Sequence, residues 1–158
     1  MELPIVLGVS VLGLLVAGAL AKWVLARDQG PEDMRRISGA IRSGAEAFLR
    51  RQNRTIILIA VPLAFLIFLL YAFVRTPTEF DPADKTTLAI WTTVSFVLGA
   101  TCSLIAGYVG MWISIRTNVR TAAAARTTLN GALQAALRGG AVSGLLVVGM
   151  SLLGVGGL

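Results

Sequence analysis

Residues 98–126 read LGATCSLIAGYVGMWISIRTNVRTAAAAR, and this stretch decides the fold. Up to Ile115 it carries no charge and is apolar enough to cross a membrane as a helix. Its small residues recur at helical spacing: Ser95 just before it, then Gly99, Ser103 and Gly107, follow in steps of four. Ala106 and Gly110 form a second pair beside them. Steps of four stay on one face of a helix, so these positions make a nearly bare stripe. The tail holds Arg116, Arg120 and Arg126 and no acid. A charge-free helix that runs into an arginine-bearing tail reads as a membrane crossing whose end is held in the cytoplasm.

The rest of the chain belongs to the same class. Of its 158 residues 56% are hydrophobic and only 14% charged, which is more apolar than a soluble domain of this size requires. The absence of histidine excludes His-ligated metals and any Ser-His or Cys-His nucleophile pair within the chain. Cys102 is the single cysteine, lies in an apolar run, and reads as a small packing residue. In a soluble protein a net charge of +6 would suggest nucleic acid. Here the placement of the charges gives them another purpose, and no nucleic-acid partner is expected.

Four charge-free runs are long enough to span a bilayer: Leu3–Ala21, Thr55–Val74, Thr86–Ile115 and Gly139–Leu158. They predict transmembrane helices at about 3–25, 55–75, 86–115 and 139–158. The first has no lysine or arginine before it, so it reads as an uncleaved crossing and not as a signal peptide. Residues 22–54 carry eight Lys/Arg and residues 116–138 carry four, whereas the second connection has only Arg75 and Lys85. Twelve against two places the first and third connections in the cytoplasm and the N-terminus outside. The fourth run reaches Leu158 with no polar flank, and the expectation is of a chain cut from something longer.

The cytoplasmic connections themselves read as helical. PEDMRRISGAIRSGAEAFLRRQNR (31–54) contains no breaker after its first residue. Pro31 suits the first helical position, and Glu32 and Asp33 suit the positive end of the helix dipole. Met34, Ile37, Ile41, Ala45 and Phe48 share one face, which predicts an extension of the second membrane helix packed on its neighbours. Arg50, Arg51 and Arg54 reach the headgroup level, and Pro62 is the place for a kink. The alanine-rich 121–137 continues the third helix, with a turn into the fourth near Asn130-Gly131 or at Gly139-Gly140.

Membrane helices associate through close van der Waals contact, which small residues permit. The stripe on the third helix, Gly140 and Gly144 on the fourth, and Gly13 and Ala17 on the first therefore read as packing positions. A homodimer face is the sharper alternative. An ion path would need charged or polar groups within the membrane, and none of the four runs contains a charge. Ser95, Thr101 and Ser103 have a sufficient partner in their own backbone.

A phosphate-handling metal site needs clustered carboxylates with basic residues nearby. Asp28, Glu32 and Asp33 are close in sequence, but the start of a helix accounts for the last two. Glu79, Asp81 and Asp84, near Pro77 and Pro82, read as a solvated turn. No P-loop, dinucleotide turn or nucleophile elbow appears. No catalytic, cofactor-binding or metal-binding residue is assigned in this chain. The arginines of the tail, Arg116, Arg120 and Arg126, read as topology determinants and headgroup partners, with electrostatic steering of an anionic substrate as the second possibility.

Three segments in order, GAEAFLRRQNRTI (44–56), FVLGATCSLIAGYVGMWISIRTNVRTAAAAR (96–126) and ALRGGAVSGLLVVG (136–149), resemble the N-terminal part of the membrane-bound inorganic pyrophosphatases. These enzymes couple pyrophosphate hydrolysis to pumping of protons or sodium ions, and the style is closer to the bacterial branch, implying a bacterial plasma membrane. The resemblance implies a sixteen-helix, usually homodimeric bundle, with the first four helices in its outer ring. It also implies magnesium pyrophosphate as the substrate of the parent enzyme, with potassium dependence open. The family's catalytic pattern, an aspartate followed eight residues later by lysine, is absent: the only lysines are Lys22 and Lys85, and Arg36 stands eight residues after Asp28. By resemblance, residues 1–158 are one N-terminal four-helix segment without a separate soluble domain, a scaffold and not the catalytic part. A free-standing four-helix assembly protein is the alternative.

Overall fold

The computed structural model describes residues 2–76 and 84–157, with the backbone alone at Glu2. The residues read as an outer acidic turn, Pro77, Glu79, Asp81 and Pro82, lie outside the described residues. Four helices account for the rest: α1 (Glu2–Leu25), α2 (Glu32–Leu69), α3 (Lys85–Ala125) and α4 (Leu129–Gly156). A π-helical turn, Leu70–Val74, continues α2, and there is no strand among the described residues. All four helices are long and apolar enough to cross a membrane.

Length separates the helices into two kinds. At a rise of about 1.5 Å per residue, the 24 residues of α1 and the 28 of α4 suit one crossing of a core about 30 Å thick. The 43 residues of Glu32–Val74 and the 41 of α3 reach about twice that distance. The surplus in both lies at the arginine-bearing end, as the charge pattern predicts. α2 passes through Pro62. The π-helical turn ends where the Arg75 amide donates to the Leu70 carbonyl at 2.9 Å, and Lys85 Nζ donates to the Phe73 carbonyl at 3.2 Å.

The helices pack as a bent row, in the order α2, α3, α4, α1, with α1 curling back to touch α3, and among the described residues α2 touches neither α4 nor α1. α4 lies between α3 and α1, and its buried positions suit close contact on both sides: Ala132, Ala135, Gly139, Val142, Gly149 and Gly154 are small or slender. The first four and Gly149 follow steps of three, four, three and seven, the spacing of a left-handed helix seam. On α1 the facing positions Ser10, Ala17 and Val24 recur every seven residues and are buried. Ala17, Ile113 and Val142 form the core where α1, α3 and α4 meet.

Two glycines mark the closest approaches. A Cβ on Gly139 would collide with Thr117, whose own Cβ would stand 2.8 Å away, so no side-chain rotation relieves the contact. A Cβ on Gly149 would meet Leu14 Cδ2 at 2.9 Å and Cγ at 3.0 Å. Gly140 and Gly144, the pair expected to pack, instead face open space. One position of offset along the helix moves a residue by about 100° and hence from the seam to the open side.

The turn between α3 and α4 also differs from expectation. It lies at Arg126–Thr128, ahead of both predicted positions, and α4 starts at Leu129. Thr128 determines this start: its Oγ1 accepts the Gly131 amide at 3.1 Å, which satisfies one of the donors that a helix N-terminus leaves free. Asn130-Gly131 therefore sits in the first helical turn, and Gly139 is a packing site. At the other connection, Pro31 precedes the helix as its cap residue (φ −64°, ψ 169°) instead of occupying the first helical position. Gly30, at φ 78°, takes the left-handed conformation that turns the chain from α1 towards α2.

Candidate functional site

Two places gather side chains with more than packing potential: the arginine-bearing end of the row, and a groove along α3 and α4. Arg120 stands at the first. It is only 6% exposed, although it was expected to meet headgroups. Its Nη2 donates to the Leu25 carbonyl at 3.0 Å and its Nη1 to the Arg116 carbonyl at 2.6 Å, while Nε is buried without a partner. Leu25 ends α1, so an arginine from α3 closes the carbonyl end of a helix 95 residues away in sequence. A cation at this end is favourable, because the helix dipole is negative there.

Arg116 also turns inward. Its guanidinium lies over the Trp112 ring at 3.8 Å, donates to the Trp112 carbonyl at 3.0 Å, and approaches Glu46 of α2 at 3.6 Å. The same Glu46 oxygen accepts from Arg42 Nε at 2.7 Å. The Arg42 hydrogen bond, reinforced by the two neighbouring positive charges, holds the Glu46 carboxyl below its usual range. This carboxylate therefore bridges the cytoplasmic-type extensions of α2 and α3. Arg126 alone of the three tail arginines remains exposed. Steering by the three together loses its basis, since two are engaged in helix contacts.

Nearby, Trp23 of α1 carries two guanidinium groups, Arg27 at 3.9 Å and Arg138 at 3.8 Å from its ring centroid. Contacts of this kind are worth about 0.5–1 kcal/mol each at exposed sites. The Arg138 contact ties the end of α1 to α4. A recess of about 310 Å³ opens beside them, lined by Arg27, Asp28, Arg120, Thr127 and Gln134 among others.

The apolar face assigned to the α2 extension is covered only in part, with Met34 and Ala45 half-buried. Ile37, Ile41 and Phe48 are exposed, and burial occurs instead at Leu49. The stripe on α3 divides similarly. Ala106 is buried and Gly110 lies against Ser143, whose hydroxyl donates to the Gly110 carbonyl at 3.3 Å. The longer stripe of Ser95, Gly99, Ser103 and Gly107 instead lines a groove of about 490 Å³ with Cys102, Ser151 and Gly154. Gly99 and Gly107 face open space. Ser95 and Thr101 donate to the Trp91 and Val97 carbonyls, each at 2.7 Å, so neither hydroxyl proton is free to donate to a ligand. Among the described residues no three acids, cysteines or histidines converge on a point that would hold a metal ion.

Sequence reasoning missed the cap on α1 and the Glu46 bridge. Both join residues far apart in the chain, and spacing carries no information about such pairs. The only available signal was that the tail of α3 has arginines without acids in its own segment.

The comparisons with known proteins agree on one family. A family profile described as inorganic H+ pyrophosphatase matches residues 11–158. The chain is 49% identical over 149 residues to pyrophosphate-energized membrane proton pump 3 of Arabidopsis thaliana, covering 93% of this chain and 19% of that protein. It is 45% identical to K(+)-insensitive pyrophosphate-energized proton pump 2 of Moorella thermoacetica (98% of this chain, 20% of that protein). The similarly named pump of Caldanaerobacter subterraneus is 42% identical (97% and 21%). Plant and bacterial relatives both match well. The chain spans about a fifth of the length of these relatives. No solved structure matches it significantly. On the match across nearly its whole length, the chain belongs to the inorganic H+ pyrophosphatase family.

Proposed function

We propose that this chain is the N-terminal scaffold of a pyrophosphate-energised proton pump of a bacterial plasma membrane, and that catalysis resides in further helices of the same protein. The observation that carries this reading is the combination of a family match over residues 11–158 with coverage of only about a fifth of each relative. The packing supports it. A row of four helices with a bare groove on α3 and α4, and with Ile37, Ile41 and Phe48 exposed on the extension of α2, has surfaces shaped for more protein.

In this reading the stripe of Ser95, Gly99, Ser103 and Gly107 receives a further helix of the same protein at close range. The Arg120 cap and the Glu46 bridge fix the long extensions of α2 and α3, which hold the cytoplasmic side of the catalytic helices. Magnesium and pyrophosphate belong to the parent enzyme, which works as a homodimer in the lipid bilayer, and no residue of this chain binds either. Several relatives carry the description K(+)-insensitive, so proton pumping without a potassium requirement is the expected activity.

A chimera tests this. The chain replaces the corresponding segment of the Moorella thermoacetica relative, and pyrophosphate-driven proton uptake is measured in membrane vesicles. The chimera pumps, without need of potassium, while the 158 residues alone neither hydrolyse pyrophosphate nor pump. Hydrolysis by the chain alone would overturn the scaffold reading.

A further inference from the structure

A recess of about 460 Å³ opens between α2 and α3, lined by Glu46, Arg50, Asn53, Arg54, Ile57 and Tyr108. Arg50 and Arg54 are four residues apart on α2 and thus share a face. Neither makes a hydrogen bond, ion pair or ring contact with any described residue. The one acid on the rim, Glu46, is already engaged by Arg42 and Arg116. The recess therefore presents two uncompensated guanidinium groups, with the Asn53 amide in the same lining.

Its lower half has the opposite character. From Thr55 to Val74 the helix carries no charge, and Ile57 begins that stretch half exposed. Tyr108 faces the same space from α3, with a ring for apolar contact and a hydroxyl for the wet side. Charge above and hydrocarbon below, at the level where a membrane helix leaves the bilayer, match a molecule with an anionic head and an apolar tail. Basic recesses between membrane helices on the cytoplasmic side bind anionic headgroups in this way. A free phosphate would use only the upper half.

We propose that this recess is a binding site for an anionic phospholipid, with Arg50 and Arg54 on the headgroup phosphate, Asn53 as an additional donor, and Ile57 and Tyr108 along the start of an acyl chain. The proposal is independent of which reaction the parent protein performs. It makes α2 and α3 jointly responsive to membrane composition, because the lipid bridges them just beyond the Glu46–Arg116 contact.

The test is native mass spectrometry of the full chain in mild detergent, titrated separately with phosphatidylglycerol, phosphatidylcholine and inorganic phosphate. Phosphatidylglycerol is retained, and R50Q/R54Q weakens its binding by about thirtyfold. R35Q/R36Q removes the same charge from an exposed part of α2 and leaves binding unchanged. Equal loss in the two double variants would reduce the effect to general charge and overturn the site. Phosphatidylcholine binding as tightly as phosphatidylglycerol would overturn it as well. So would inorganic phosphate bound with equal strength and equal dependence on Arg50 and Arg54, which would mark a free-anion site without the lipid tail.

Discussion

Arg120 donates to the carbonyl that ends α1 and to a carbonyl one turn back on its own helix, using a separate nitrogen of its rigid guanidinium fork for each. Arg120→Gln is therefore expected to lower stability by about 2 kcal/mol, since hydrogen bonds from a charged donor contribute about 1.5–3 kcal/mol and Leu25 is left without its partner. Arg120→Lys recovers less than half of that loss, which thermal unfolding in detergent would register. Gly139 gives a second contrast. Gly139→Ala pushes against Thr117 at the closest contact of α3 and α4, and overpacking of this type costs about 1–3 kcal/mol. Gly140→Ala, one position along and facing open space, is neutral or slightly stabilising because alanine favours the helix. The same comparison shows what single residues disclosed in advance. Small residues announced that α4 packs closely, but Gly139 and Gly140 are identical as letters. Only the position of the α3 seam decides which of them is pressed against Thr117.

Among elements, the long helices were legible because their causes are local: charge-free runs, alanine-rich continuation and the absence of breakers between residues 31 and 61. The turn into α4 was not, because the Thr128 cap competes with Asn130-Gly131 and Gly139-Gly140, and sequence alone gave the glycines more weight than a threonine side chain. The attachment of the α2 extension to α3 depends on Glu46, whose carboxyl is held below its ordinary value of 4.5 by Arg42 first and Arg116 after it. A depressed carboxyl contributes stability that is present above its ordinary value and lost as pH falls through the depressed one. Residues 32–54 are thus expected to exchange amide hydrogens faster below about pH 4.5 relative to the rest of α2, with no change between pH 6 and 8. Glu46→Gln gives the faster exchange at neutral pH and removes the acid dependence. An unchanged exchange profile in that variant would mean that Leu49 packing alone holds the extension.

For the whole molecule, the sequence disclosed a membrane protein of four crossings, and the family resemblance carried the rest of the functional reading. The open shape of the row was hidden, since a stripe of small residues specifies close contact without naming the partner. Ala106 and Gly110 find that partner in α4, whereas Gly99, Ser103 and Gly107 do not find one among the described residues. The central claim is that this uncovered groove is completed by further helices of a pump. Cys102 is the only cysteine in the chain and lines the groove half-buried, which makes it a native reporter. The direct measurement is the rate at which N-ethylmaleimide modifies Cys102 in detergent, compared between the 158-residue chain and its chimera with the remainder of the Moorella thermoacetica relative, the other cysteines of the chimera having been replaced. Modification in the chain alone and protection of at least about tenfold in the chimera is the result the account predicts. Equal rates in the two proteins would contradict it, because the groove would then remain open when the rest of the pump is present.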